Sequence, residues 1–285
     1  DGGVPVKRLI SIDEFNEMKK KDDKIVIFDC RFDLMNKTYG VDSYSKGHIK
    51  GAYLMDIEHD LVDPVSEHGG RHPFKKPEDL KTVLENFGVD NDTTIITYDD
   101  GDMQGAARLV FQLNQLGIKR AFCLDGGFTA YKANCGEVET SPNTPVKSDK
   151  ELDIKIDNSY FVDMDYVKSS LYKEGTLLID SRSHNRYLGL EEPVDRVAGH
   201  IPSAKNYFFM DTMNLENIQD TSFKSDEFLK DHFKKLDDYK EIIIYCGSGI
   251  SLMVNALALD KVGIDYKVYP GSYSDWISYQ DNDIM

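Results

Sequence analysis

Five sequence blocks occur twice, in the same order, along this 285-residue chain. A chain duplicated in this way has to fold as two copies of one unit. IVIFDCR at 25–31 returns as LLIDSR at 177–182, each an apolar run that ends in Asp-x-Arg. GHIKGAYLMD at 47–56 returns as GHIPSAKNYFFMD at 199–211. IITYDD at 95–100 returns as IIIYCG at 242–247, and the helical patterns QGAARLVFQLNQLG and SLMVNALALDKVG follow. AFCLDGGFTAY at 121–131 returns as YKVYPGSYSDW at 266–276. The offsets are about 145–152 residues, which leaves each copy one domain of about 130.

Within each copy, short β-branched runs bounded by Asp and Gly predict buried strands. Leu109, Leu113 and Leu116, and likewise Leu252, Ala256 and Leu259, recur at helical spacing and predict helices with an apolar stripe. Ser11 with Glu14 forms a capping box, Pro77 with Glu78 opens a second helix, and Ser225 opens its counterpart. Strands alternating with helices predict an α/β fold, two tandem domains each with a parallel sheet flanked by helices on both faces. The domains are expected at 1–137 and 156–285, with a linker at 138–155. The segment 134–150, NCGEVETSPNTPVKSDK, has two prolines and no apolar periodicity, as a connector should.

Charge removes several function classes. Fifty acidic against 34 basic side chains leave a net charge of −16, which argues against nucleic acid or an anionic membrane surface as partner. No apolar stretch of about 18 residues predicts a membrane span, and no secretory leader is legible. The four cysteines, Cys30, Cys123, Cys135 and Cys246, match no metal pattern and no dense disulfide framework. A cytoplasmic, reducing location is expected, with neither metal nor cofactor. Cys30, Cys123 and Cys135 are read as structural.

Cys246 is different. In IIIYCGSGIS a buried strand runs straight into Cys-Gly-Ser-Gly and then a helix. Two glycines let the loop curl so that backbone N–H groups converge on one spot at a helix N-terminus. A cysteine placed there favours its thiolate and is a competent nucleophile. Ser248, two residues on, either presents its hydroxyl to the reaction or serves only the turn.

With these motifs assembled, the chain resembles the tandem rhodanese sulfurtransferases over nearly its full length. The shared elements are Asp-x-Arg, Gly-His-Ile-x-x-Ala, Cys-Gly-Ser-Gly-Ile-Ser, and the Asp-Gly-Gly-Phe and Pro-Gly-Ser-Tyr blocks. The resemblance implies that Cys246 carries a sulfane sulfur as a persulfide, taken from a small anionic donor and passed to a thiophilic acceptor such as a thiol, thioredoxin or cyanide. It implies that Gly247, Gly249, Ile250 and Ser251 complete the binding loop, and that the loop's lack of Arg and Lys suits 3-mercaptopyruvate over thiosulfate. It implies that Arg186 and Arg196 hold the donor carboxylate; the alternative is a solvated pair balancing Glu191, Glu192 and Asp195. It implies that His72 of the first copy, beside Arg71, reaches the site, where a Ser248–His72 relay could be oriented by Asp56 or Glu58. A surface-loop histidine is the alternative.

Asp29–Arg31 and Asp180–Arg182 recur in both copies and read as scaffold. The first copy carries Asp99 opposite Cys246, in an acidic loop with Asp100 and Asp102, and should be non-catalytic. A thiosulfate:cyanide sulfurtransferase and a non-enzymatic sulfur carrier remain as alternatives. A Cys-x5-Arg phosphatase would need an Arg to close the loop, and position 252 is Leu.

Overall fold

A computed structural model describes residues 6–22, 24–217 and 219–285. The first domain runs β1 (Leu9–Ile10), α1 (Ile12–Lys21), β2 (Ile25–Asp29), α2 (Tyr39–Lys46), β3 (His48–Ile49), β4 (Tyr53–Leu54), α3 (Ile57–Asp60), α4 (Pro77–Asn86), β5 (Thr94–Tyr98), α5 (Gln104–Gln115), β6 (Ala121–Leu124), α6 (Gly127–Ala133) and β7 (Val138–Glu139). The second runs α7 (Met164–Ser170), β8 (Thr176–Asp180), α8 (His184–Tyr187), β9 (Lys205–Asn206), α9 (Asp226–His232), β10 (Glu241–Tyr245), α10 (Leu252–Val262), β11 (Lys267–Val268) and α11 (Ser272–Trp276).

Both main sheets are parallel, in the orders β1-β6-β5-β2-β4 and β11-β10-β8-β9. The expected α/β class with helices on parallel sheets is present. Helix starts follow the capping chemistry. Ser11 and Glu14 form the reciprocal capping box of α1, Pro77 stands at the start of α4, and Ser225 accepts from the Phe228 N–H to cap α9.

The repeated Asp-x-Arg motif has a structural cause. Arg31 forks onto Asp29, with Nη2 to Oδ2 at 2.6 Å, and donates to the Gly47 carbonyl at 2.7 Å. Arg182 makes the same two contacts, with Asp180 and Gly199, each at 2.7 Å. The Tyr ending each central strand completes the clamp, because its hydroxyl accepts from the N–H of Ile49 or Ile201 at 3.1 Å. One buried fork thus ties three of the duplicated blocks into a single unit.

The halves are not separate cores. One apolar cluster runs from Phe28, Leu109 and Leu113 in the first domain to Ile244, Leu257 and Leu259 in the second. Helices α5 and α10 pack on each other at its centre. Sequence periodicity predicts a single apolar stripe on α5, yet every residue from Gly105 to Leu113 is buried. The helix lies between its own sheet and the other domain, so its second face is covered too. The segment read as connector lies against the first domain. Val138–Glu139 pairs antiparallel with β3, and Leu152 is buried.

Loops are exchanged between the domains. Residues 68–74 of the first lie on the second: Gly69 N–H donates to Asp275 at 2.7 Å, and Arg71 N–H to Ser274 at 3.1 Å. Residues 219–223 of the second lie on the first, where Thr221 donates to the Gly101 and Gly126 carbonyls, both at 3.3 Å. Phe223 N–H donates to Asp125 at 3.0 Å.

Candidate active site at the domain interface

Strand β10 delivers Cys246 into a tight turn before α10. The turn is held by its neighbours: the Cys246 N–H donates to Ser272 Oγ at 3.1 Å, and the Gly249 N–H donates to Cys246 Sγ at 3.2 Å. Gly249 has φ +88°, and a Cβ there would meet the Pro270 carbonyl oxygen at 2.2 Å, so only glycine lets the loop close this tightly. Cys246 is almost fully buried, 1% exposed. The Ser251 backbone begins α10. Ile250 joins the same apolar cluster as Cys246.

Ser248 and His72, 176 residues apart in sequence, meet in a buried contact of 2.8 Å between Oγ and Nδ1. The far side of the imidazole faces Glu58, at 3.5 Å from Nε2, while Asp56 caps α3 instead. Burial, then the cations Arg108 and Arg71, push His72 down to about 3. Its imidazole is therefore neutral near pH 7, able to accept a proton on one nitrogen and donate from the other. Glu58, Arg71 and His72 also line an open cleft with Lys37, His59 and Lys75, so the outer end of this row of contacts reaches solvent.

The cations over the loop are not the expected pair. A Cβ on Gly247 would lie 2.9 Å from Arg71 Nη2, and 3.4 and 3.5 Å from the Arg186 amines. Glycine at 247 is what allows both guanidinium groups to come so close. Asp195 joins them, accepting from Arg71 Nε at 3.0 Å and Arg186 Nη2 at 3.3 Å. Glu192 also accepts from Arg186. Arg196 is turned elsewhere. It is exposed and donates to the Ile277 carbonyl at 2.6 Å. Motif matching inside one domain selects Arg196; the loop exchanged from the other domain brings Arg71 in its place.

Ser272 escaped the sequence reading. Its hydroxyl donates to the Tyr269 carbonyl at 2.9 Å and lies 3.7 Å from Cys246 Sγ. It is fully buried at φ 58°, where the first copy has Gly127 at φ 55°. A non-glycine residue held in the left-handed region marks a place where the side chain offsets the strain. The signal was legible, as the serine of PGSY standing against the second glycine of DGGF.

Among the described residues no His, Cys, Asp and Glu cluster suits a metal, and no helix is long and apolar enough to cross a membrane. Burial holds the Cys30 and Cys123 thiols protonated, with Asp29 and Asp99 adding to the effect at Cys30. Cys135 is exposed.

Residues 11–134 and 163–279 each match the family described as rhodanese-like domain. The chain belongs to the rhodanese family. A rhodanese relative from Pseudomonas aeruginosa, named as a probable 3-mercaptopyruvate sulfurtransferase, is 35% identical over 260 residues, 89% of each chain. A putative thiosulfate sulfurtransferase, SseB of Mycobacterium tuberculosis, is 31% identical over 95% of this chain and 94% of its own. Among solved rhodanese folds, the 3-mercaptopyruvate enzyme SseA of Escherichia coli superposes with a TM-score of 0.79 at 26% identity, covering 94% of this chain and 99% of that one.

Proposed function

We propose that this protein is a sulfurtransferase that moves a sulfane sulfur from a small anionic donor, 3-mercaptopyruvate foremost, through a Cys246 persulfide to a thiophilic acceptor. The observation that carries the reading is convergence on one loop. The Cys246 sulfur sits on the Gly249 N–H, with the Arg71 and Arg186 guanidinium groups over Gly247 beside it.

In this reading the two guanidinium groups hold the donor carboxylate by charged, forked hydrogen bonds. The Cys246 thiolate attacks the donor sulfur. The carbon–sulfur bond breaks, and its electron pair leaves on carbon as pyruvate enolate. The enolate takes a proton, and Ser248 with neutral His72 and Glu58 is placed to manage it. An acceptor thiolate then attacks the outer sulfur of the persulfide. The sulfur–sulfur electron pair returns to Cys246 as thiolate. The backbone N–H groups of the loop stabilise the sulfur anion in both halves of the cycle.

Thiosulfate as donor is the second reading. A second guanidinium over Gly247 suits a dianion, and relatives carry both names. Initial rates with the two donors decide between them. Intact mass after donor treatment should rise by about 32 Da, one sulfur held covalently, and peptide mapping should place it on Cys246. Added sulfur on Cys30, Cys123 or Cys135 would overturn the assignment.

A further inference from the structure

Four arginines are buried among the described residues: Arg8, Arg31, Arg108 and Arg182. Three of them face a carboxylate. Arg8 meets Asp260 at 2.8 Å, Arg31 meets Asp29 at 2.6 Å, and Arg182 meets Asp180 at 2.7 Å. Arg108, on α5 and fully buried, pairs with no carboxylate among the described residues. Its fork meets neutral oxygens instead: Nε donates to Gln112 at 2.5 Å, Nη1 to the Gly249 carbonyl at 3.0 Å, and Nη2 to the His72 carbonyl at 2.7 Å. The guanidinium also lies over the Phe74 ring at 4.5 Å. These contacts give each of its three nitrogens an acceptor and leave its charge unmatched.

An unmatched buried charge is expensive, so a permanent cation retained here calls for an anion. Burial works against the charge of Arg108, and Cys246 is the acidic group that works for it. Gly249 links the two, because its N–H holds the Cys246 sulfur while its carbonyl accepts from Arg108. The other charged groups near the sulfur are already matched or neutral. Arg71 and Arg186 face Asp195 and Glu192, and His72 stays uncharged near pH 7.

We propose that Arg108, supplied by the first domain, is the counter-charge of the Cys246 sulfur anion and steadies its thiolate and persulfide across the domain interface. It acts through the loop as a positioning residue and touches no substrate. The first domain then contributes charge to the chemistry as well as a wall to the cleft. The inference rests on Cys246 as the sulfur carrier.

The test uses the full chain with Arg108→Lys, Arg108→Gln and Arg108→Met. Iodoacetamide alkylation at Cys246 is followed by peptide mass mapping as a function of pH, with a thermal melt for each variant. An opposite charge close to a titrating group shifts it by about 1–3 pH units. The pH midpoint of alkylation should therefore rise by about 1 unit or more in the Gln and Met variants and by much less in Lys, which keeps the charge. Should Met fail to fold, Gln against Lys decides. An unchanged midpoint in folded Gln or Met protein overturns the proposal, as does a Lys midpoint raised as far as theirs. Alkylation needs no turnover, so a protein that transferred no sulfur would still report on Arg108.

Discussion

The loops after β5 and β10 descend from the same repeat, and each is roofed by a segment of the other domain, yet they are occupied differently. In the first, the Asp99 carboxylate accepts from the N–H groups of Gly101, Met103 and Ala106, each at 3.0 Å. The nest is satisfied by its own side chain. In the second, a single sulfur takes the Gly249 N–H, and two guanidinium groups stand over the adjacent glycine. The roofs differ in the same sense. Thr221 gives the first loop a hydrogen bond to backbone, whereas His72 gives the second a titratable ring. One duplicated scaffold therefore makes a nest filled by its own carboxylate and a nest that holds a thiol, and a few side chains decide which. The sequence reading had Asp99 repelling an anionic donor; the geometry adds that Asp99 already fills the place where an anion would bind.

The hardest test of that contrast is to exchange the two key residues. The double variant Asp99→Cys, Cys246→Ser should show no transfer at all, because Thr221 and the Gly126 carbonyl stand over its loop, where Arg71 and Arg186 stand over Gly247. Measurable turnover would mean that the two nests are interchangeable.

The roofs come next. His72→Ala should lower kcat by about 100-fold, the lower end of what positioned acid–base groups contribute. Thr221→Ala, its counterpart in the other roof, should leave kcat unchanged. Since His72 is neutral down to about pH 3, the wild-type rate profile should show no inflection near 6.5 that His72→Ala removes. Comparable losses for both variants would reduce His72 to a packing role.

The cations follow. A hydrogen bond to a charged group contributes about 1.5–3 kcal/mol, or about 10- to 150-fold in binding. Arg186→Ala and Arg71→Ala should each raise KM for 3-mercaptopyruvate within that range, and Arg196→Ala by less than threefold. If Arg196→Ala proves as damaging as Arg186→Ala, the arginine pairing inferred from geometry is wrong.

The smallest effect belongs to the closed nest. Burial, then the neighbouring Asp102, raise Asp99 to about 8 from an ordinary value of 3.8. A carboxyl raised on folding contributes fully below its unfolded value and loses that contribution as pH climbs through its folded value. The Asp99 contribution to stability should therefore be lost between about pH 4 and 8, and Asp99→Asn should remove that part of the pH dependence. Urea midpoints at both ends of the window measure it; equal slopes for the two proteins would remove Asp99 as the cause.

The duplication, the parallel strands, the helix caps, the Asp-x-Arg clamps and the Cys246 loop were all legible in the sequence. Each is written in residues adjacent in the chain or repeated at one offset, and their physics is local: periodicity, capping, and glycine at a turn. Only the tertiary structure decided the rest. It put Arg71 rather than Arg196 over Gly247, chose Glu58 over Asp56 behind His72, buried α5 on every side, and set an unmatched Arg108 against the Cys246 loop. Each of these depends on how the two halves dock, bringing together residues such as Arg108 and Gly249 that lie 141 positions apart. No local pattern encodes that distance, because the docking is driven by non-directional apolar burial between α5 and α10, and the polar partners are whichever groups that burial brings together.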